Sequence, residues 1–504
     1  MAIDPFHTAA LARLPLAEAS LRILDHILDT DGLARIFEEH RGGAYDRKLV
    51  FPDFVRLIAD CLLGHRGTSA HRTFQTLREQ DGDAASVQAA YAKLARLPIA
   101  VSLALFDHAA ARLDQLAIRS QPLRDIPDSL ADFRLLAFDG KTIKFVAKKL
   151  KPLRRLGGRF CGGKLLVAVD VATGRAVGVE ANPDGEASDV PLAEPLIQRI
   201  RDAATDPRPR VWIGDRLYCA ATPLAAAADR GDAFIVRHRS RFHFHPDPDA
   251  TPRTGIDDQG RAFTDQTGTL GRGPAALRVR RIAIDRTKAK TETKTKTKTK
   301  TKDEDFALVT SLTDASRYPA AELLAAYRLR WPIETLFQQV VQTFQLRELI
   351  GGSPKATVFQ AVLTLLLANA THAVRDAVAE AVDEEIPPLD LSLKKLFDET
   401  RRDLVGLFRM VDNPEDVATL LRATPLATPA AVRKHLRGLL RNLPLDRYRK
   451  APTRKGKPKP PDIGYVCGGH TSVDKALRGK VKIVPLTNTE KKPWYAKMED
   501  AKDV

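Results

Sequence analysis

The chain has 504 residues, 44% of them hydrophobic, and carries a formal net charge of +17 at pH 7 with a pI near 9.7. That is enough apolar material for a large core and two or three domains, and it excludes a disulfide-stapled miniature fold. The excess of cations points to a polyanionic partner, most simply nucleic acid, although charge alone names none.

The four cysteines, Cys61, Cys161, Cys219 and Cys467, are far apart and form no CxxC pair. Neither a disulfide framework nor a zinc site is indicated, and a reducing, cytoplasmic setting fits. The N-terminus mixes Asp4, His7, Arg13 and Glu18 into its apolar residues, which is not the pattern of a signal peptide.

Residues 1–125 read as a helical domain. LAEASLRILDHILD and FPDFVRLIADCLLG have helical apolar periodicity, and SVQAAYAKLARLPIAVSLALFDHAAARLDQL gives one or two more helices broken at Pro98. The cations Arg41, Arg47, Lys48, His65, Arg66, His71 and Arg72 fall mainly in loops or near helix ends. A domain that binds DNA ends and a plain bundle with solvated charges fit this segment equally well.

The texture changes within residues 126–241. RLLAFDG is a short apolar run closing on Asp139 and Gly140, followed by a cationic loop with Lys141, Lys144, Lys148, Lys149, Lys151, Arg154, Arg155 and Arg159. KLLVAVDVATGRAVGVEAN reads as a hairpin turning at Thr173-Gly174. A helix follows, then the strand PRVWIGD ending on Asp215, then another helix and the strand DAFIVRHR. Strand, hairpin, helix, strand, helix, strand is an α/β pattern with a mixed sheet. By analogy of fold it resembles a ribonuclease-H-like core, in which carboxylates stand at the ends of adjacent central strands.

Residues 242–302 read as a mainly β insertion, with ALRVRRIAI as its clearest strand and a disordered Thr-Lys repeat at its end. Such a repeat either clamps phosphates non-specifically or is a tolerated expansion in a hairpin loop, and the second reading is the simpler. FALVTSL returns the chain to the sheet, so that residues 303–380 form the second part of the core. The apolar run AVLTLLLANA is too short to span a bilayer, and its helix is expected to be buried. Residues 381–443 continue as helices, and 444–504 as a basic, Pro-rich flexible tail.

The stretch from Ala320 to Gly352 carries the chemistry. Tyr327, Arg330 and Glu334 follow one another at steps of three and four residues, so a continuous helix would put them on one face. Pro332 suits a first helical turn better than an interior, which allows a break here and would put Glu334 in a first turn, where the helix dipole favours a carboxylate. Taken with Asp139 and Asp215, Glu334 would complete a set of three carboxylates from distant parts of the chain. Such a set makes a hard-oxygen site suited to Mg²⁺ or Mn²⁺, and two ions about 4 Å apart can activate a nucleophile and stabilise the leaving oxygen of a phosphodiester. Among other acids, Asp170 reads as a hairpin residue, and Glu180, Asp184 and Asp189 lie in or near a loop. His238, His243 and His245 alternate with Arg and Phe as on a surface strand.

Tyr-x-x-Arg-Trp-x-x-Glu over 327–334 resembles the signature of insertion-sequence transposases of the IS-four family, which are DDE recombinases with a ribonuclease-H-like core. AFDGKTIK, VWIGDRLYCA, LVTSLTDASRYPAAELLAAYRLRW and LIGGSPKATVFQAVL are also similar to that family, over roughly residues 40–380. The resemblance implies a catalytic, metal-binding triad of Asp139, Asp215 and Glu334 that holds two Mg²⁺ (or Mn²⁺) ions. It implies DNA contacts from Tyr327 and Arg330, with Trp331 either packing or touching DNA, and the cationic loop offers Lys141 and Lys144. It further implies double-stranded DNA as partner (element ends and target), a homodimer on DNA, and no membrane.

One position departs from the pattern: the family has a lysine seven residues after the glutamate, where this chain has Val341. A transposase that cuts and rejoins DNA is therefore the first expectation. A transposase-derived DNA-binding protein that no longer cuts is the second, and a nuclease without strand transfer the third.

Overall fold

The computed structural model describes residues 11–44, 49–63, 86–118, 122–143, 161–203, 206–229, 231–273, 276–284, 306–342, 350–382, 386–410, 421, 426–451, 464–466 and 483–485. The cationic loop from Lys144 to Phe160, the Thr-Lys repeat, and the loop cations Arg47, Lys48, His65, Arg66, His71 and Arg72 lie outside them.

Among the described residues, five helices come first: α1 (Pro15–Ile27), α2 (Thr30–His40), α3 (Phe51–Leu63), α4 (Val87–Arg96) and α5 (Ile99–Gln115). Three of them have local reasons to start where they do. Asp29 caps α2 by accepting from the Gly32 amide at 2.8 Å, and Ser86 caps α4 through Ala89 at 3.1 Å. Pro15 occupies the first turn of α1, where its missing donor costs nothing. The Asp29 carboxylate also accepts from His108 of α5 at 2.7 Å, so one cap ties two helices together.

The sheet has ten strands: β1 (Arg134–Thr142), β2 (Lys164–Asp170), β3 (Ala176–Asn182), β4 (Arg210–Gly214), β5 (Ala233–Arg237), β6 (Phe244–Pro246), β7 (Arg253–Ile256), β8 (Ala262–Leu270), β9 (Leu277–Ile284) and β10 (Ala307–Thr310). Their order is β3-β2-β1-β4-β5-β10-β9-β8-β6, with β7 on β8. β1, β2 and β3 are antiparallel neighbours, whereas β4 and β5 run parallel to β1. Helix α6 (Ala193–Ala203) makes the crossover from β3 to β4, and α7 (Ala221–Ala228) makes the one from β4 to β5. This is the mixed α/β, ribonuclease-H-like arrangement that the order of elements predicts.

The β2–β3 turn is built as expected. Gly174 takes a positive φ of 68°, and the Asp170 carboxylate accepts from the Ala172 and Thr173 amides while pairing with Arg134 at 2.8 Å. The insertion is β-rich too, but it is no separate module. β9 pairs with β10, so β6–β9 extend the central sheet. Arg280 of β9, 1% exposed, pairs with Asp265 of β8 at 2.6 Å and donates to the Tyr318 carbonyl at 2.6 Å, which fixes the extension to the loop before the next helix.

That helix, α8 (Ala320–Arg328), and its successor α9 (Trp331–Gln342) are separated by a short break rather than continuous. α10 (Pro354–Ala381) is the central strut. It spans 28 residues and is apolar enough to cross a membrane by length and composition, but 94% of its most apolar window is buried by the protein's own side chains. The ten-residue run read from sequence understates it; Gln360, Thr364 and Asn369 sit inside the same buried helix, each hydrogen-bonded.

The helices α1–α5 pack around α10 and share one core with one face of β2 and β3 and with α9. They therefore do not stand apart as an N-terminal domain, and residues 1–450 cluster as one unit. The same unit takes in α11 (Leu393–Met410), α12 (Pro429–Leu440) and the segment after Leu443, which the composition assigns to the tail: Tyr448 is buried and its carbonyl accepts from the Ser392 amide. Residues 451–504 form a second unit, in which β11 (Gly464–Val466) and β12 (Ile483–Pro485) make an antiparallel pair.

Candidate active site

The pleat of the sheet decides which side chains meet. Leu135 and Ala137 of β1, and Val211 and Ile213 of β4, point to one face; Leu136, Phe138 and Trp212 point to the other. Two residues beyond Ala137 and Ile213, on that first face, come Asp139 and Asp215. The last paired residues of the two parallel strands are Phe138 and Gly214, so the two acids are next neighbours at the carboxyl ends of adjacent strands. Gly214 is required there, because a Cβ would stand 2.9 Å from the Phe138 ring. Tyr218, from the turn that Asp215 caps, packs against the same ring at 4.5 Å.

Glu334 reaches the site from α9, which lies over β1 and β2 on this face. The break at Leu329–Arg330 places Glu334 in the first turn of α9, as Pro332 suggests. It also swings Arg330 inward. The Arg330 guanidinium donates to Glu334 Oε1 at 2.6 Å and stands 3.7 Å from Asp139 Oδ2, so one cation joins the first and third acids. Tyr327, in the last turn of α8, sets its ring edge-on to Phe306, centroids 5.7 Å apart. Tyr327, Arg330 and Glu334 thus come together across a helix break, not along one helix face.

The electrostatics follow from this packing. Burial pushes the Asp139 carboxyl up to about 6; the Gly140 amide and Arg330 work against the rise, and the Asp215 and Asp189 charges add to it. Burial alone would lower the Arg330 guanidinium, but its bond to Glu334 and the nearby Tyr327 and Asp139 raise it instead. Burial likewise raises the Tyr327 hydroxyl.

The remaining expected residues are placed as follows. Lys141, two residues beyond Asp139 on the same face, holds its ammonium 5.3 Å from the Phe337 ring of α9. Trp331 is 58% exposed at the start of α9, so it is not a packing residue. Lys144 lies outside the described residues, as does the side chain of Val341. Arg41 is occupied by Glu38 and the Ala44 carbonyl. His238 bonds the Phe242 carbonyl and His245 accepts from Arg272, and among the described residues no group of His, Cys, Asp and Glu is gathered closely enough to hold a metal ion.

Asp139, Asp215 and Glu334 are not gathered that closely either. They are oxygen donors on one sheet face, where burial, with the Asp215 and Asp189 charges, raises Asp139, and in kind the three acids fit a hard divalent cation. Arg330 holds Glu334 in its own ion pair.

Two residues near the acids were not legible from spacing. Asp189 folds over Gly140 from the opposite face, where a Cβ on Gly140 would stand 2.0 Å from the Asp189 carboxylate, and it pairs with Lys164 at 2.8 Å. Arg237, the last residue of β5, follows the pair Gly214–Val236 and so stands next in register to Asp215. Only the strand register reveals it.

Residues 131–370 match the family model described as the transposase DDE domain, which supports a DDE transposase. No curated protein matches the sequence. Among solved structures the chain is similar to one described as a cryo-EM structure of the piggyBac transposase synaptic complex with hairpin DNA. The identity is 13%, over 84% of this chain and 86% of that one, with a TM-score of 0.36, too low to bear on function.

Proposed function

We propose that this chain is the transposase of an IS-four-type insertion sequence, with Asp139, Asp215 and Glu334 as its catalytic carboxylates. One observation carries the reading: two aspartates from strands 76 positions apart in sequence stand side by side on one sheet face, and Arg330 links the first of them to Glu334. The match to the transposase DDE domain spans all three acids.

The reaction is phosphodiester hydrolysis at the element ends followed by joining to target DNA. Water adds to phosphorus and loses a proton while the P–O bond to the 3′ oxygen breaks, which frees a 3′-hydroxyl. That hydroxyl then displaces an oxygen from a target phosphodiester, so the number of phosphodiester bonds is conserved in the joining step. Asp139, Asp215 and Glu334 would hold two Mg²⁺ or Mn²⁺ ions, and a bound divalent cation supplies charge for the attacking and leaving oxygens. This chain's own residues supply the rest. Arg330 and Tyr327 orient the phosphate beside the acids, and Trp331, exposed at the α9 start, touches DNA; its exposure supports that role. A homodimer that pairs two ends, in the cytoplasm, completes the reading.

The test is cleavage of a supercoiled plasmid carrying the element's own ends, by wild type and Glu334→Gln, with Mg²⁺ and with EDTA. End-specific cuts that need both Mg²⁺ and Glu334 are the expected result. Salt-sensitive end binding without any cut would instead support a DNA-binding derivative, the reading that Val341 at the signature lysine position favours.

A further inference from the structure

The acids are flanked by cations on both sides, and each cation is braced on an aromatic ring. Across the carboxyl ends of β1, β4 and β5, on one sheet face, run Asp139, Asp215 and Arg237. Arg237 is half-buried with its guanidinium 5.5 Å from the Phe306 ring centroid, and that ring packs on Tyr327. Among the described residues no carboxylate pairs with Arg237, unlike its neighbours: Arg330 has Glu334, Arg280 has Asp265 and Arg328 has Asp258. A partly desolvated guanidinium without an anion is costly to keep, and a fixed fork of donors suits an oxyanion that arrives from outside.

On the other side, β1 itself carries Lys141 two residues past Asp139, about 7 Å further along the strand. Its ammonium lies over Phe337, one turn beyond Glu334 on α9. Lys141 and Arg237 are offset by the two strand spacings from β1 to β5, about 10 Å, and by about 7 Å along the strand, about 12 Å in all, with Asp215 on the strand between them.

We propose that Lys141 and Arg237 are positioning residues that grip the phosphates on either side of the scissile one, each held in place by its ring, so that the strand is laid across the acids by two fixed points. This rests on the transposase reading given above. It assigns to this pair of side chains, on β1 and β5, the cationic positioning for which α9 offers Val341 at the signature position. A flexible cation would have to be ordered on binding; one braced on a ring and a strand end is ordered beforehand, and the gain falls on the rate of cutting more than on affinity.

The test uses the full chain and a duplex carrying the element's terminal repeat, with two readouts. Phosphate-ethylation interference of end binding, in Ca²⁺, maps contacts without needing a cut. Wild type should show interference at two phosphates flanking the cut site; Lys141→Ala should lose one of them and Arg237→Ala the other. Cleavage in Mg²⁺ should fall about 100-fold in each alanine variant, with end affinity changed only a few-fold and melting temperature unchanged, and Lys141→Arg and Arg237→Lys should restore part of the rate. Variants that keep both interference sites, or that cut as fast as wild type, overturn the proposal. Wild type that shows both contacts and never cuts would leave the clamp standing and remove the transposase reading instead.

Discussion

The buried polar groups of α10 and the half-buried acids at the ends of β1 and β4 are treated oppositely. Asn369 sits at 1% exposure and spends its amide twice on one residue, accepting from the Ala176 amide at 2.9 Å and donating to the Ala176 carbonyl at 2.7 Å. Gln360 accepts from the Gly351 amide and returns a bond to the Ala356 carbonyl, and Thr357 reaches the Gly162 carbonyl. These bonds pin the sheet and the α10 entry to the strut, and they are complete within the chain. The Asp139 carboxyl is raised chiefly by burial, with the Asp215 and Asp189 charges adding to the rise. The difference separates polar groups that build the fold from polar groups kept for a partner: the first are satisfied locally, the second stay partly unsatisfied at a cost in stability.

The comparison breaks most sharply at Glu334. Replacing it with Gln keeps shape and removes charge, and cutting should fall by at least about 10³-fold while the melting temperature holds or rises, read by plasmid cleavage beside a thermal melt. On the structural side the largest effect is expected at Asp265→Ala. It strands the buried Arg280 guanidinium, and denaturant unfolding should show a loss of about 3–5 kcal/mol. Asn369→Leu leaves an amide and a carbonyl of β3 without partners, for a loss of about 2–4 kcal/mol, and the cutting rate per folded molecule should not change.

The smallest effect sharpens the contrast through pH. The folded-state pKa of Asp139 lies above its ordinary value of 3.8, at about 6. Its contribution to stability is therefore present below pH 4 and lost as pH rises through 6. Asp139→Asn should melt like wild type below pH 4 and above it at neutral pH in EDTA, with the gap levelling off beyond pH 6. A gap that is the same at every pH would mean that the carboxyl is not raised.

Much of this was legible in the chain itself. The strands that end on Asp139 and Asp215 are short apolar runs cut off by a polar residue, and the hairpin at Thr173-Gly174 advertises its turn chemistry. Pro332 marks the start of α9 to within one residue, because proline tolerates little else. What was not legible depended on distance in sequence. Asp189 reads as a loop acid until Gly140 is seen to leave room for it, and Arg237 as an ordinary strand-end cation until β5 lies beside β4. The N-terminal helices have amphipathic faces that any bundle could bury, and nothing local says that their partner is α10 and the sheet.

By itself the sequence determined the periods: which segments are helices or strands, where prolines and glycines stop them, and which acids fall at strand ends. These are consequences of neighbours along the chain, set by backbone sterics and the side-chain repeat of each element. Only the tertiary structure decided the register between strands, the face each acid shares, and the reach of Arg330 to both Asp139 and Glu334. Those depend on hydrogen-bonded pairing and on packing between residues up to hundreds of positions apart, which no local pattern encodes.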